Sequence, residues 1–187
     1  MKRFLSGLAL VALVAGTASA VVPDSELSVT PDCIRVDPSG AILLDVQVFG
    51  TDGNPLGNND VRVIFDAGCV DLIDETCNQP TVLSGTTDAV GMISFAPEIG
   101  GCCETGGAVT IEADPGAVTL LPVYNAVGSN DSDGNHISNL GDFVAFQGVF
   151  LDTGVSCQDL TCDEDLEVAL DDFVTFQSLF LNGAECP

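Results

Sequence analysis

The sequence predicts a mainly β protein, a two-sheet sandwich of short strands followed by a small helical module built from two similar loop-helix units. Three observations carry this expectation. Short β-branched segments separated by turn residues fill the chain from residue 22 to about 126. A ten-residue apolar stretch beginning Asp142-Phe143-Val144-Ala145-Phe146-Gln147 returns thirty residues later as Asp172-Phe173-Val174-Thr175-Phe176-Gln177. Eight cysteines follow an apolar leader, which is the usage of an exported, disulfide-bonded chain.

Residues 1–20 read as a signal peptide. Lys2 and Arg3 form the charged start, residues 4–14 the apolar run, and Ala18-Ser19-Ala20 a small-residue cleavage site. The run is too short to span a bilayer, and no later segment is long and apolar enough to do so. The expected product is secreted, extracellular or at the cell surface, with no membrane insertion after signal cleavage.

The strand segments come next. They are Leu27-Ser28-Val29, Ile42-Leu43-Leu44-Asp45-Val46-Gln47-Val48, Val61-Arg62-Val63-Ile64-Phe65, Met92-Ile93-Ser94-Phe95, Val109-Thr110-Ile111-Glu112-Ala113 and Val118-Thr119-Leu120-Leu121-Pro122-Val123. Turn signals stand between them at Asp52-Gly53-Asn54-Pro55, Asp88-Ala89-Val90-Gly91 and Glu104-Thr105-Gly106-Gly107. Six or seven short strands in about a hundred residues fit two packed sheets. The stretch from Cys69 to Cys77 fits neither strand nor helix and is read as a disulfide-pinned loop.

Three stretches carry a resemblance: residues 45–56, ending Asp52-Gly53-Asn54-Pro55-Leu56, then Val61-Arg62-Val63-Ile64-Phe65, then Thr86-Thr87-Asp88-Ala89-Val90-Gly91-Met92-Ile93-Ser94-Phe95. This half resembles bacterial immunoglobulin-like domains of the invasin/intimin type, which implies an immunoglobulin-like β-sandwich over residues 21–126 and a spacer or adhesion role. Gly50, Ile93 and the cysteine-rich inserts depart from that pattern.

The repeat places acidic residues in register. From Asp131, positions 1, 3, 5, 9 and 12 of a twelve-residue loop are Asp131, Asp133, Asn135, Asn139 and Asp142, with the Ile137 carbonyl at position 7. Ca²⁺ takes six to eight oxygens, and this is the spacing at which a loop of that length supplies them. The second loop offers Thr161, Asp163, Asp165 and Asp172 at positions 1, 3, 5 and 12, and the Glu167 carbonyl at position 7. Position 9 there is Ala169, so the second site is the less complete. A helix is expected from position 12 in each copy. Phe143, Phe146 and Phe150, like Phe173, Phe176 and Phe180, fall at i, i+3 and i+7 on one face. The two faces are expected to pack on each other.

This pair of units resembles a dockerin domain over residues 127–187, on Asp131-Ser132-Asp133-Gly134-Asn135 through Asp142-Phe143 and on Asp163-Glu164-Asp165 through Asp172-Phe173. The resemblance implies EF-hand-type calcium binding and docking to a cohesin-like extracellular protein. The pattern departs at position 6 (His136 and Leu166), at position 8 of the first loop (Ser138), and at positions 10 and 11 (Leu140-Gly141 and Leu170-Asp171).

Charge and cysteine content narrow the function. With Lys2 and Arg3 removed, Arg35 and Arg62 face 28 carboxylates, two positive charges against 28 negative, a net of −26. That excludes nucleic acid, which needs a basic patch. Residues 128–187 hold twelve of the acids and no Lys or Arg, so this module wants a bound cation. The single histidine, His136, sits within the first loop and is expected to be an exposed bystander. With one histidine, no Trp and only Tyr124, neither a nucleophile-histidine pair nor an aromatic sugar cleft can be assembled. The chain is not expected to be an enzyme.

All eight cysteines are disulfide candidates: Cys33, Cys69, Cys77, Cys102 and Cys103 before residue 128, and Cys157, Cys162 and Cys186 after it. If all are paired, five against three requires at least one bridge between the two regions. Cys157 and Cys186 are the preferred donors because they flank the second repeat, and Cys162, at loop position 2 with its side chain expected to point away from the metal, stays open as a donor. Two functions stay open: a secreted non-catalytic protein whose calcium module docks the β-domain to a partner, or a calcium-stabilised structural or adhesion protein with no cohesin-like partner.

Overall fold

Short strands with every second residue apolar bury one face only by pairing edge to edge and folding over one another. The computed structural model describes residues 21–66, 82–114, 116–151, 157–163 and 167–181, and the protein is mainly β. Its strands are β1 (Ile34–Val36), β2 (Leu44–Gln47), β3 (Asp60–Phe65), β4 (Val82–Thr86), β5 (Met92–Phe95), β6 (Cys103–Ala113), β7 (Val118–Thr119) and β8 (Tyr124–Ser129). Six of them form one sheet in the order β1-β8-β6-β3-β4, with β7 paired to β6. Strands β2 and β5 form a separate antiparallel pair.

One core is shared by both sheets. Val61, Val63 and Phe65 of β3, Val109, Ile111 and Ala113 of β6, and Leu44 and Val46 of β2 all point into it. Their partners along each strand face outward, as the period of two requires. Arg62, on the outward face of β3, lies opposite Glu112 of β6 and makes a 2.6 Å ion pair with it.

Four of the expected strands appear near their sequence positions, as β2, β3, β5 and the second half of β6. Leu27-Ser28-Val29 contributes only a single bridge, from Val29 to Gln47. The run from Val118 shortens to two residues, and past it the Leu121 amide leaves β6 and donates to the Ser25 carbonyl. Glu104-Thr105-Gly106-Gly107, expected as a turn, lies within β6. There the five steps from Glu104 to Val109 face only two steps from Ala126 to Tyr124 on β8. The surplus bulges out at Gly107, whose φ of +79° a side chain would resist, and whose N–H donates to Asn125 Oδ1 at 3.1 Å. Glycines that read as a turn are the bulge of a long strand. The Cys69 to Cys77 stretch and the signal peptide lie outside the described residues.

Strand β8 runs to Ser129, past the expected change of module at residue 126/127, and pairs in parallel with β1. It therefore delivers the chain to Asn130 and Asp131 at the edge of the sheet. Beyond it stand α1 (Leu140–Val149) and α2 (Leu170–Leu181). Each starts at loop position 10, two residues earlier than expected, because Asn139 caps the first helix. Its Oδ1 accepts from Gly141 N at 2.7 Å while Asp142 Oδ2 accepts from Asn139 N at 2.8 Å. The phenylalanine faces meet as expected: the Phe146 and Phe176 rings stack at 4.8 Å between centroids, and Phe143 lies 6.4 Å from Phe173. Leu160 and Val168 close the same small core.

Among the described residues two disulfides tie this module to the sheet, Cys33–Cys162 and Cys102–Cys157, with Cα atoms 5.8 and 5.3 Å apart. The parity argument required one such bridge. Cys157 is one of the preferred donors, Cys162 takes part as well, and Cys186, Cys69 and Cys77 lie outside the described residues. Cys103 is also disulfide-bonded. Polar contacts reinforce the join: the Arg35 guanidinium donates to the Leu160 carbonyl, and Cys157 N donates to Glu104 Oε1 at 2.7 Å.

Candidate metal centre

A loop that gathers carboxylates must first hold each in place, because like charges drive them apart. Backbone amides do this here. Asp131 Oδ2 accepts from His136 N at 2.8 Å and its Oδ1 from Asn135 N at 3.2 Å. Asp133 Oδ1 accepts from Asn135 N at 3.1 Å, and Asn135 Oδ1 from Ile137 N at 3.0 Å. Asp142 Oδ1 takes Ser132 N at 2.7 Å and Asp133 N at 3.2 Å. Each carboxylate is thus aimed by the chain folding back on its own loop.

The result is a cluster. Asp131, Asp133 and Asp142 offer oxygens that lie within 4.8 Å of one another, and together they could hold a metal ion. All three donors are hard oxygens, which suit a cation of the calcium or magnesium type rather than a soft thiophilic metal. Of the other expected ligands, the Asn135 side chain is tied to the loop and exposed. Asn139 serves the helix cap, its amide donating to the Ile137 carbonyl at 3.0 Å. That use of Asn139 competes with its ligation, whereas the Ile137 oxygen keeps a second lone pair.

His136 corrects an expectation. It occupies position 6 with φ +65° and is 4% exposed, so it is a buried part of the loop rather than an exposed bystander. The turn needs a left-handed residue, usually glycine; here a histidine adopts it and fills space beneath the loop. The signal was present in the sequence, since position 6 must turn whatever residue occupies it.

The second loop is wired differently. Asp172 Oδ1 accepts from Leu160 N at 2.7 Å, Thr161 N at 2.9 Å and the Thr161 hydroxyl at 3.0 Å, and its Oδ2 from Ala169 N at 2.8 Å. Asp142 grips positions 2 and 3 of its loop, whereas Asp172 grips position 1 and the residue before it. Thr161 therefore spends its hydroxyl hydrogen on Asp172. Asp163 is exposed, Glu167 is half-buried, and Asp165 lies outside the described residues.

Burial sets the electrostatics. Asp131 has no exposed surface, and burial pushes its carboxyl up from 3.8 to about 6, against the opposing pull of the His136 amide. The charges of Asp142 and Asp133 push the same way. Without a cation, the folded protein holds this proton more tightly than the unfolded chain does. The group then favours folding at low pH, and that contribution is lost as pH rises from 3.8 to about 6. A bound cation competes with the same proton. Metal affinity should therefore fall as pH drops through about 6, which calcium titrations at pH 5 and pH 7.5 check directly. Equal affinity at both would remove Asp131 from the ligand set.

Comparison with protein-family models, curated proteins and solved structures finds no match for this chain. Among the described residues no helix is long and apolar enough to cross a membrane.

Proposed function

We propose that the chain is a secreted, non-catalytic protein in which residues 131–142 bind Ca²⁺ and the ordered helix pair docks the β-domain to an extracellular or cell-surface partner. The observation that carries the calcium reading is the convergence of Asp131, Asp133 and Asp142 within 4.8 Å, in a module with no Lys or Arg of its own. The side chains of those three and Asn135, with the Ile137 carbonyl, form the proposed oxygen shell. Residues 161–172 form the weaker second loop. The EF-hand and dockerin resemblance and the immunoglobulin-like pattern of the β-half agree with this reading.

Docking draws support from what the repeat leaves uncovered. Leu140 and Val144 of α1 are 69% and 59% exposed, and their counterparts Leu170 and Val174 of α2 are 67% and 57% exposed. Positions i and i+4 lie on one helical face, so each helix presents the same apolar pair to solvent. A cohesin-like surface is the proposed occupant. A second reading, a calcium clip that stiffens a surface protein, is favoured by the two disulfides that fix the module to the sheet.

Calorimetric titration of the whole protein with Ca²⁺ should resolve a tighter event that Asp133→Ala removes and Asp163→Ala leaves intact. A calcium-dependent pull-down with the same variants, and with Leu140→Asp/Leu170→Asp, separates the readings. Docking requires capture to depend on both calcium and the leucines. Calcium binding with no such capture leaves the clip. No calcium binding overturns both.

A further inference from the structure

We infer that Gly100, on the β-domain side of the joint, is a positioning residue for the proposed metal site: its missing side chain is the space in which the Asp131 carboxylate is held. The inference rests on the reading of residues 131–142 as a cation site. A Cβ at position 100 would lie 1.8 Å from Asp131 Oδ2, 2.8 Å from its Cγ and 3.2 Å from its Cβ. The three nearest atoms it would meet therefore belong to one side chain. The next residue grips the same aspartate by its backbone, Gly101 N donating to the Asp131 carbonyl at 2.6 Å. From the other side Ser129 Oγ accepts from Asp131 N at 3.1 Å. Asp131 is thus clamped between the end of β8 and a segment that lies some thirty residues earlier in the chain.

That segment cannot recede to admit a methyl group. Ile99 is 2% exposed in the main core, Cys102 is bridged to Cys157, and Cys103 is 7% exposed and also disulfide-bonded. Gly100 itself does not have a left-handed φ, so alanine there brings no backbone penalty of its own. The cost of the methyl falls on Asp131, which must swing away from loop position 1. The metal site is in this sense shared: its first carboxylate comes from the loop, and the wall that aims it comes from the β-domain. An isolated C-terminal module would lack that wall.

The test uses the full-length protein and Ca²⁺ alone. Gly100→Ala should weaken calcium affinity by about tenfold or more, the range seen when groups that orient ligands are altered. Gly148→Ala, on the open face of α1 with nothing within 4 Å of the added Cβ, should not change it. A merely structural role would lower Tm in chelator and leave the calcium-induced rise in Tm intact; positioning shrinks that rise. In an Asp131→Ala background, adding Gly100→Ala should leave the remaining calcium-induced rise unchanged. Should Gly100→Ala not fold, hydrogen exchange on the wild type serves instead, and calcium should slow exchange of the Gly101 amide. Unaltered affinity in Gly100→Ala, or a Gly101 amide indifferent to calcium, overturns the inference while leaving the calcium reading standing. A wild type that binds no calcium overturns both.

Discussion

Replacing Phe146 by alanine should cost the folded protein about 3–5 kcal/mol, the usual range for deleting a buried phenylalanine ring. Phe146 has no exposed surface and stacks on Phe176 at 4.8 Å, with the Phe173 and Phe150 rings tilted against it at 6.1 Å. The helical core is small: among the described residues Leu160, Val168 and Phe176 are buried beside Phe146, and Phe143, Val149, Phe173 and Phe180 pack against them partly exposed. Phe150 offers the contrast. It sits just past the end of α1 at 38% exposure, and its replacement should cost well under half as much. Denaturant unfolding followed by helical circular dichroism, with calcium held constant, measures both. Equal losses would mean that the two helices do not share a core.

The second large effect should come from the sulfur bridges. Cys33–Cys162 spans 129 residues and Cys102–Cys157 spans 55. Closing loops of that size removes unfolded-state entropy worth about 4–5 kcal/mol each in the chain-entropy model, an upper figure because the remaining bridges already restrict the chain. Cys33→Ser/Cys162→Ser should therefore lower stability by several kcal/mol, through the freed unfolded chain, and in the folded protein should loosen the second loop, since Cys162 lies within it. Cys102→Ser/Cys157→Ser should instead weaken the tighter of the proposed calcium events, because Cys102 anchors the segment against Asp131. Thermal unfolding with and without calcium distinguishes the two. Identical effects on the two calcium events would show that the bridges act only on global stability.

How far the sequence led depended on the range of the interaction. The helices, their meeting faces and the first carboxylate cluster were legible because a thirty-residue repeat fixes the register of Asp131, Asp133, Asp142 and the phenylalanines together. β2, β3 and β5 were legible from alternation. β1, β4 and β8 were not: Ile34-Arg35-Val36 is three residues long, Val82-Leu83-Ser84-Gly85-Thr86 is broken by a glycine, and Tyr124-Asn125-Ala126-Val127-Gly128-Ser129 carries turn-forming residues. These strands exist because partners far away in the chain supply their ladders. The contribution of Gly100 was hidden for the same reason. Nothing local to Gly100-Gly101-Cys102-Cys103 announces that an aspartate some thirty residues onward will rest on it. The two copies of the loop also diverged in a way spacing could not reveal: Asp142 and Asp172 both hold the amide at position 9, yet at the start of the loop they grip different amides.

The Cys33–Cys162 bond also decides how the molecule would carry a mechanical load. A pull between the two ends of the chain passes from residue 33 to residue 162 through sulfur, bypassing the 129-residue separation between them. At a contour length of about 3.5 Å per residue, about 450 Å of chain is withheld from extension. The sheet and residues 131–142 lie inside that withheld length, so tension cannot unravel them while the bond is intact. The helix α2 lies outside it. If the helix pair is the point of attachment, its two copies are mechanically unequal: α1 lies within the length that the bond withholds and α2 lies beyond it.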